Sequence, residues 1–296
     1  MVEGRGIDHL VLVTEDLDEA SAFYRTLGFT TTPRAVHPFG TGNALVQLQG
    51  NFIELVGIVD PGAIATAEPG GFSFAAFCRD RLREAEGMCM LVLESRDARA
   101  DHAAFTSRGL RTHPPMDFQR LARLPDGSEV TVGFSLAFVT DPRLPRVAFF
   151  VCQQHAPQHF WKAEYQTHAN GAQVVDRVYM VAEDPPALAD LFAGLQDRDS
   201  VRVDDDELVV ATARGDVVVM TPGRFEALYP GARLAAGAAS GCFAGFRVRV
   251  EDLARARAIL DGEGIPHQAR DGSLRIWPQR AHGVLIEIEE SEPPDD

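Results

Sequence analysis

Residues 6–29 read GIDHLVLVTEDLDEASAFYRTLGF, and how this stretch is read decides the fold. Ile7 to Val13 form an apolar strand pattern interrupted by one imidazole, His9. Behind it Thr14 or Asp16 can cap a helix, Glu15, Asp18 and Glu19 suit the positive end of its dipole, and Ala20, Phe23, Tyr24 and Leu27 recur on one face before Gly28 stops it. Three strand-like runs follow between glycine-rich turns: TTTPRA, NALVQLQ and NFIELVGI. The unit is βαβββ.

The same unit is written again along the chain. The junction VTEDLDEA returns as VAEDPPAL at 181–188 and as RVEDLARA at 249–256, and a weaker copy spans 92–101, ending at Gly109 as the fourth ends near Gly264. Strand-like runs follow each copy. One βαβββ unit curls a short sheet whose hollow cannot close alone, so four units predict two pairs in an α+β fold. The N-terminal pair should span 1–157 and the C-terminal pair 173–290. Between them 158–172 reads as a connector, and 291–296 as a disordered acidic tail. A generic α+β sandwich is the competing reading.

Composition narrows the function. The chain has 296 residues, 45% of them hydrophobic, and a formal charge of −15 from 43 acidic and 28 basic residues, with Lys162 the single lysine. No basic stripe survives that balance, so neither nucleic acid nor an anionic membrane is an expected partner. Its apolar runs are too short to span a bilayer and its start lacks a signal pattern, which reads as a cytoplasmic protein. Four scattered cysteines suggest reduced thiols.

Alternation places Ile7, His9, Val11 and Val13 on one face of the first strand, and Phe52, Glu54 and Val56 on one face of a later one. Each row carries a single ionisable group. If the two strands share a curled sheet, His9 and Glu54 converge in its hollow, where they suit a divalent cation or acid–base work. A hydrogen-bonded core pair is the alternative. A buried Glu54 without a partner would cost several kcal/mol or stay protonated. In RAVHPFGTGNAL, glycines flank small polar residues, so His37 and Asn43 can hydrogen-bond a ligand, unless this is an ordinary hairpin. FFVCQQHAPQHFWKAEYQTHANG supplies Gln154, His155, His159, Trp161, Tyr165 and His168 as a pocket rim or a polar linker.

These residues together resemble the vicinal oxygen chelate superfamily, and in particular its glyoxalase-like domain proteins. The resemblance rests on Asp8-His9 in the first strand, His37-Pro38 with the run Gly40 to Leu45, and Ile53-Glu54-Leu55. It is dense over residues 6–60. It implies two domains like those of glyoxalase, bleomycin-resistance and extradiol-dioxygenase proteins, with metal ligands on the first and last strands of paired units. Carried over, those ligands are His9 and Glu54. The second unit offers Met90 or Cys89 and Phe150, Val151 or Cys152 instead; the third has Arg177 and the fourth Gly245 at the His9 position, with Glu287 matching Glu54. Gln154, His155 or His37 could complete the set, and zinc, manganese, iron, nickel and magnesium are not distinguished.

The expected function is a small-molecule enzyme of lyase, isomerase or ring-cleavage type, with or without a divalent metal. In it His9, Glu54 and His37 are catalytic, Asn43, Phe52, Gln154 and Trp161 bind an oxygenated, aromatic substrate, and His9, Glu54 and His155 hold the metal. A binding protein of the bleomycin-resistance type, sequestering cationic drugs without chemistry, is the alternative. Units three and four are expected to be mainly scaffold, with Glu287 at a solvated edge, and kinship suggests a homodimer.

Overall fold

The computed structural model describes residues 4–124, 126–235 and 237–292. In chain order the first half contains β1 (Ile7–Val13), α1 (Leu17–Thr26), β2 (Ala35–Val36), β3 (Thr41–Gln47), β4 (Phe52–Ile58), α2 (Phe74–Leu82), β5 (Gly87–Glu94), α3 (Ala98–Ser107), β6 (Arg111–Thr112), β7 (Met116–Arg123), β8 (Glu129–Thr140), β9 (Ala148–Gln154) and the short α4 (Pro157–Phe160). The second half contains β10 (Ala172–Val181), α5 (Ala189–Leu195), β11 (Val201–Val203), β12 (Glu207–Ala211), β13 (Asp216–Met220), α6 (Pro222–Leu228), β14 (Cys242–Val250), α7 (Leu253–Gly262), β15 (Gln268–Arg270), β16 (Ser273–Ile276) and β17 (Leu285–Glu290).

The strands form two sheets of one plan. The first runs β2-β3-β4-β1-β5-β9-β8-β6, with β7 on β8; the second runs β11-β12-β13-β10-β14-β17-β16-β15. In each, the first strands of two units meet antiparallel at the centre, and each lies parallel to the last strand of its own unit. The fold is therefore the α+β arrangement of paired βαβββ units read from the repeat.

The repeated aspartates explain why the helices start where they do. Asp16 accepts from the Asp18 and Glu19 amides at α1, Asp97 from Arg99 and Ala100 at α3 and Asp252 from Arg255 at α7, satisfying otherwise orphaned N–H groups; in the third copy Asp184 accepts from Ala187 in the turn ahead of α5, which itself has no side-chain cap. Gly28 follows α1 at φ +87°, a left-handed backbone that a side chain would strain.

One core serves both sheets. Leu10, Leu12, Ile53 and Leu91 of the first sheet and Val178, Met180, Phe246 and Ile288 of the second pack with Tyr24, Phe105, Phe192 and Leu260 of the helices in a single apolar cluster. The opposite, concave faces carry two separate clusters. The proposed connector is stitched to the first half: Gln47 Nε2 donates to the Phe160 carbonyl, Gln166 Nε2 to the Leu48 carbonyl and Asn170 Nδ2 to the Leu27 carbonyl. Of the expected acidic tail, residues 293–296 lie outside the described residues, whereas Ser291 is tied to the second sheet through the Val250 carbonyl and Gln173.

The second hollow is filled. Glu287 is buried, not at a solvated edge: Tyr179, Tyr229 and Ser273 donate hydroxyls to its carboxylate and Arg275 an Nε–H at 2.8 Å. At Gly245, the position matching His9, a Cβ would stand 2.1 Å from the Leu285 carbonyl, so no side chain fits there. Glu287→Ala strands the buried Arg275 charge. It should lower unfolding stability by about 3–5 kcal/mol in denaturant titration while ligand binding in the first sheet persists; lost activity without lost stability would move the site to this half.

Candidate active site

The central strand β1 does not keep strict alternation. Its register against β5 shifts between Ile7 and His9, a bulge. Ile7 therefore joins Leu10 and Leu12 in the shared core rather than His9, Val11 and Val13 on the concave side, which corrects the alternation reading. The bulge also lets two successive polar side chains meet. Asp8 accepts from His9 Nδ1 at 2.5 Å and from Gln154 Nε2 at 3.1 Å, and both Asp8 and His9 are buried. Because a carboxylate only accepts, Nδ1 of His9 carries the proton and Nε2 faces the hollow.

Opposite that atom stands Glu54. In the parallel pair of β1 and β4, Val11 is level with Glu54 and His9 with Phe52, so the His9 ring stacks on Phe52, with centroids 4.2 Å apart, and Nε2 lies 3.7 Å from Glu54 Oε2. That separation is too long for a hydrogen bond. Glu54 Oε1 instead takes Asn43 Nδ2 at 2.5 Å, with His37 Nε2 3.7 Å away. His37 is fixed through Nδ1 to Thr41 Oγ1 at 2.8 Å.

These groups line a hollow with about 440 Å³ of empty space, its mouth open to solvent included. Its walls are aromatic: Phe39, Phe52, Phe74, Phe118, Phe134, Phe150 and Phe160. Two elements absent from the sequence reading help close it. α2, capped by Ser73, brings Phe74, and β7, which pairs with β8, brings Phe118 and Arg120. Arg120 is 9% exposed, lies over the Phe134 ring and is a positive neighbour of both Glu54 and His37. Its signal was the phase of MDFQRLAR, in which Met116, Phe118, Arg120 and Ala122 point inward while Leu121 is exposed.

His9, Glu54, His37, Asn43 and Phe52 thus line one cavity. The other three expected site residues do not. His155 is exposed and bonds Ser135 Oγ at 2.8 Å. Gln154 sits behind Asp8, its Oε1 buried without a hydrogen-bond partner among the described residues. Trp161 packs edge-on against Phe52 but lines an outer groove with Asp8 and Gln154. His168 is spent on structure, accepting from the Thr30 amide and donating to the Gln47 carbonyl.

The donor set decides whether a divalent cation belongs here. The positions in the second unit that mirror His9 and Glu54 hold Met90 and Phe150, His155 is engaged elsewhere, an amide N–H covers one Glu54 oxygen and the Arg120 guanidinium stands nearby. Among the described residues no three His, Cys, Asp or Glu side chains group to hold a metal. These residues do not fit a resident cation, and the set of His9, Glu54 and His155 is not assembled.

Fold and site together define the class, the vicinal oxygen chelate superfamily. The chain belongs to the glyoxalase-like domain family, whose family model matches residues 7–196. No curated protein matches the sequence. Among solved structures, a hypothetical protein from Staphylococcus aureus superposes with a TM-score of 0.69 at 13% identity, over 97% of this chain and 100% of that one. A mutant 4-hydroxymandelate synthase from Streptomyces coelicolor gives 0.59 at 12% identity over 100% and 95%. Homoprotocatechuate 2,3-dioxygenase from Arthrobacter globiformis gives 0.55 at 15% identity over 98% and 82%. At these identities the likeness is one of fold.

Burial first, then the Arg120 charge, then His9, pull the His37 imidazole down to about 3, so it is neutral in the folded protein at neutral pH. The unfolded chain takes up this proton below about pH 6.5, and the folded one only near pH 3. Stability from this group is therefore complete above that window and lost as pH falls through it, at up to ~1.4 kcal/mol per pH unit. His37→Gln should flatten the acid-side decline of unfolding free energy between about pH 6 and pH 3; an unchanged slope would show that His37 does not carry it.

Proposed function

We propose that the N-terminal cavity is the active site of a small-molecule enzyme of isomerase or lyase type that moves a proton next to a substrate carbonyl. The observation that carries this reading is the opposition of His9 Nε2 and Glu54 Oε2 across 3.7 Å, each held from behind and neither hydrogen-bonded to the other. Asp8 fixes the His9 tautomer as an orienting carboxylate does in a catalytic triad, and Asn43 fixes the Glu54 carboxylate.

The chemistry follows from which atoms remain free. Glu54 Oε2 takes a proton from the carbon beside the carbonyl, and the electron pair of that C–H bond moves onto the carbonyl oxygen. Arg120 and the neutral His37 supply N–H groups towards the developing oxyanion in a cavity whose phenylalanine walls exclude water, where such donors act strongly. His9 Nε2 accepts or returns a proton on the far side. Returning the Glu54 proton to the neighbouring carbon completes an isomerisation; expelling a leaving group from that carbon completes an elimination. Either way the atoms balance without a redox partner.

The drug-sequestration alternative draws no support from the cavity, whose polar groups face each other in acid–base pairs and whose one wholly cationic side chain, Arg120, would repel a cationic drug. Solvent-deuterium exchange, followed by NMR on a panel of aryl 2-oxo and 2-hydroxy acids, tests the reading directly. Wild-type protein should catalyse exchange at the carbon beside the oxygenated group, and Glu54→Gln should reduce it roughly 10²–10⁴-fold while the fold is retained. Exchange indifferent to Glu54, or near-stoichiometric metal that disappears in His9→Ala, would replace this mechanism.

A further inference from the structure

The phenylalanine-walled cavity does not open straight to bulk solvent on every side. It shares His37, Leu45, Arg120 and Phe160 with a wider vestibule of about 1310 Å³ empty volume, lined by β2, β7 and the connector. The charge of this vestibule is opposite to that of the molecule. On a chain of net charge −15, its charged lining residues are Arg34, Arg120, Arg123 and Lys162 against one carboxylate, Glu129. The only lysine of the sequence is spent here.

Arg120 sits where the two spaces meet. It is nine-tenths buried, yet among the described residues its guanidinium makes one hydrogen bond to protein, Nη1 to the Leu121 carbonyl at 3.2 Å. A guanidinium has five N–H donors in a planar fork. No carboxylate lies within ion-pair distance of Arg120, Arg123 or Lys162 among the described residues, although Asp18 stands 3.7 Å from the exposed Arg34 and Asp126 is a negative neighbour of Lys162. A desolvated charge with most of its donors uncommitted is expensive unless something else completes it. Glu54 offsets part of its charge without reaching hydrogen-bonding distance.

We infer that Arg120 is a built anion site at the throat, and that the substrate is an amphiphile: a ring-sized apolar part in the cavity joined to a carboxylate or phosphate held by the Arg120 fork, drawn in by the cations of the vestibule. A planar fork matches either anion with paired hydrogen bonds, and a narrow cleft of one sign concentrates the opposite charge from solution. The exposed Val36 and Leu121, both on the vestibule wall, give the apolar part a surface to cross on entry. The inference rests on the cavity being a substrate site, as proposed above, and names the substrate class.

The test is equilibrium binding, which does not need turnover. Calorimetry and thermal unfolding of the full chain would compare 3-phenylpropanoate, 2-phenylethyl phosphate and 3-phenylpropanamide, which share an apolar body and differ in the head. One or both anions should bind at least about tenfold more tightly than the amide, the better of the two identifying the headgroup, and the preference should shrink with added salt. Arg120→Met should abolish the preference and Arg120→Lys should weaken it; Lys162→Gln and Arg123→Gln, whose side chains hydrogen-bond no buried residue among the described residues, should each lower anion affinity a few-fold and keep the folded state. Equal binding of all three, or none, in wild-type protein would overturn the assignment without any variant. Selective anion binding by a protein that catalyses no deuterium exchange would sink the proposed chemistry and leave this site standing.

Discussion

Everything distinctive about this molecule follows from one irregularity in its central strand. A regular β1 would send Asp8 and His9 to opposite faces of the sheet; the bulge between Ile7 and His9 brings them together, so a carboxylate grips one imidazole nitrogen and aims the other at Glu54. A bulge costs ladder hydrogen bonds and bends the strand. It is sustainable here because β1 is held on both sides, by β4 and β5, at the middle of the sheet. A strand paired on both edges thus carries the Asp8–His9 contact, and such support is what holds a side chain in place to within tenths of an ångström.

The two sheets are built on one plan and have been put to different uses. Each concave face carries a smaller cluster of its own, and their other faces share one apolar core with the helices. In the second sheet the concave face is closed by α6 with Phe225 and Tyr229, and its carboxylate, Glu287, is saturated by tyrosines, a serine and an arginine. In the first sheet the carboxylate at the matching position keeps one oxygen uncommitted and faces a void. The same residue type at the same register position is saturated with hydrogen bonds in one copy and faces a cavity in the other, and the difference is only in what surrounds it.

Much of this was legible from residue patterns, and the misses have definite causes. The repeated acidic junctions located four units because a helix cap needs a short acceptor side chain at a fixed place, and Asp16, Asp97 and Asp252 each supply it, while Asp184 fixes the turn ahead of α5. His9 and Glu54 stood out as single ionisable groups in apolar rows, and parallel pairing of β1 with β4 brought those rows side by side. Ile7 was misplaced because alternation assumes an unbroken pleat. Arg120 was missed because an arginine in a strand is ordinarily assigned to solvent, although the exposure of Leu121 beside it marks a strand whose inward phase carries the charge. His155 and Trp161 looked like rim residues from their composition, but a turn after β9 directs them to Ser135 and to an outer groove.

The burial of the first sheet on both faces, in two distinct clusters, also separates two kinds of inheritance. Substitutions among the phenylalanines of the hollow alter what can be accommodated there and leave the larger core on the other side of the sheet unchanged. A lineage carrying this architecture can therefore reshape the hollow by trading wall residues one at a time, while the core common to both sheets goes on supplying the foundation against which each new wall is tried.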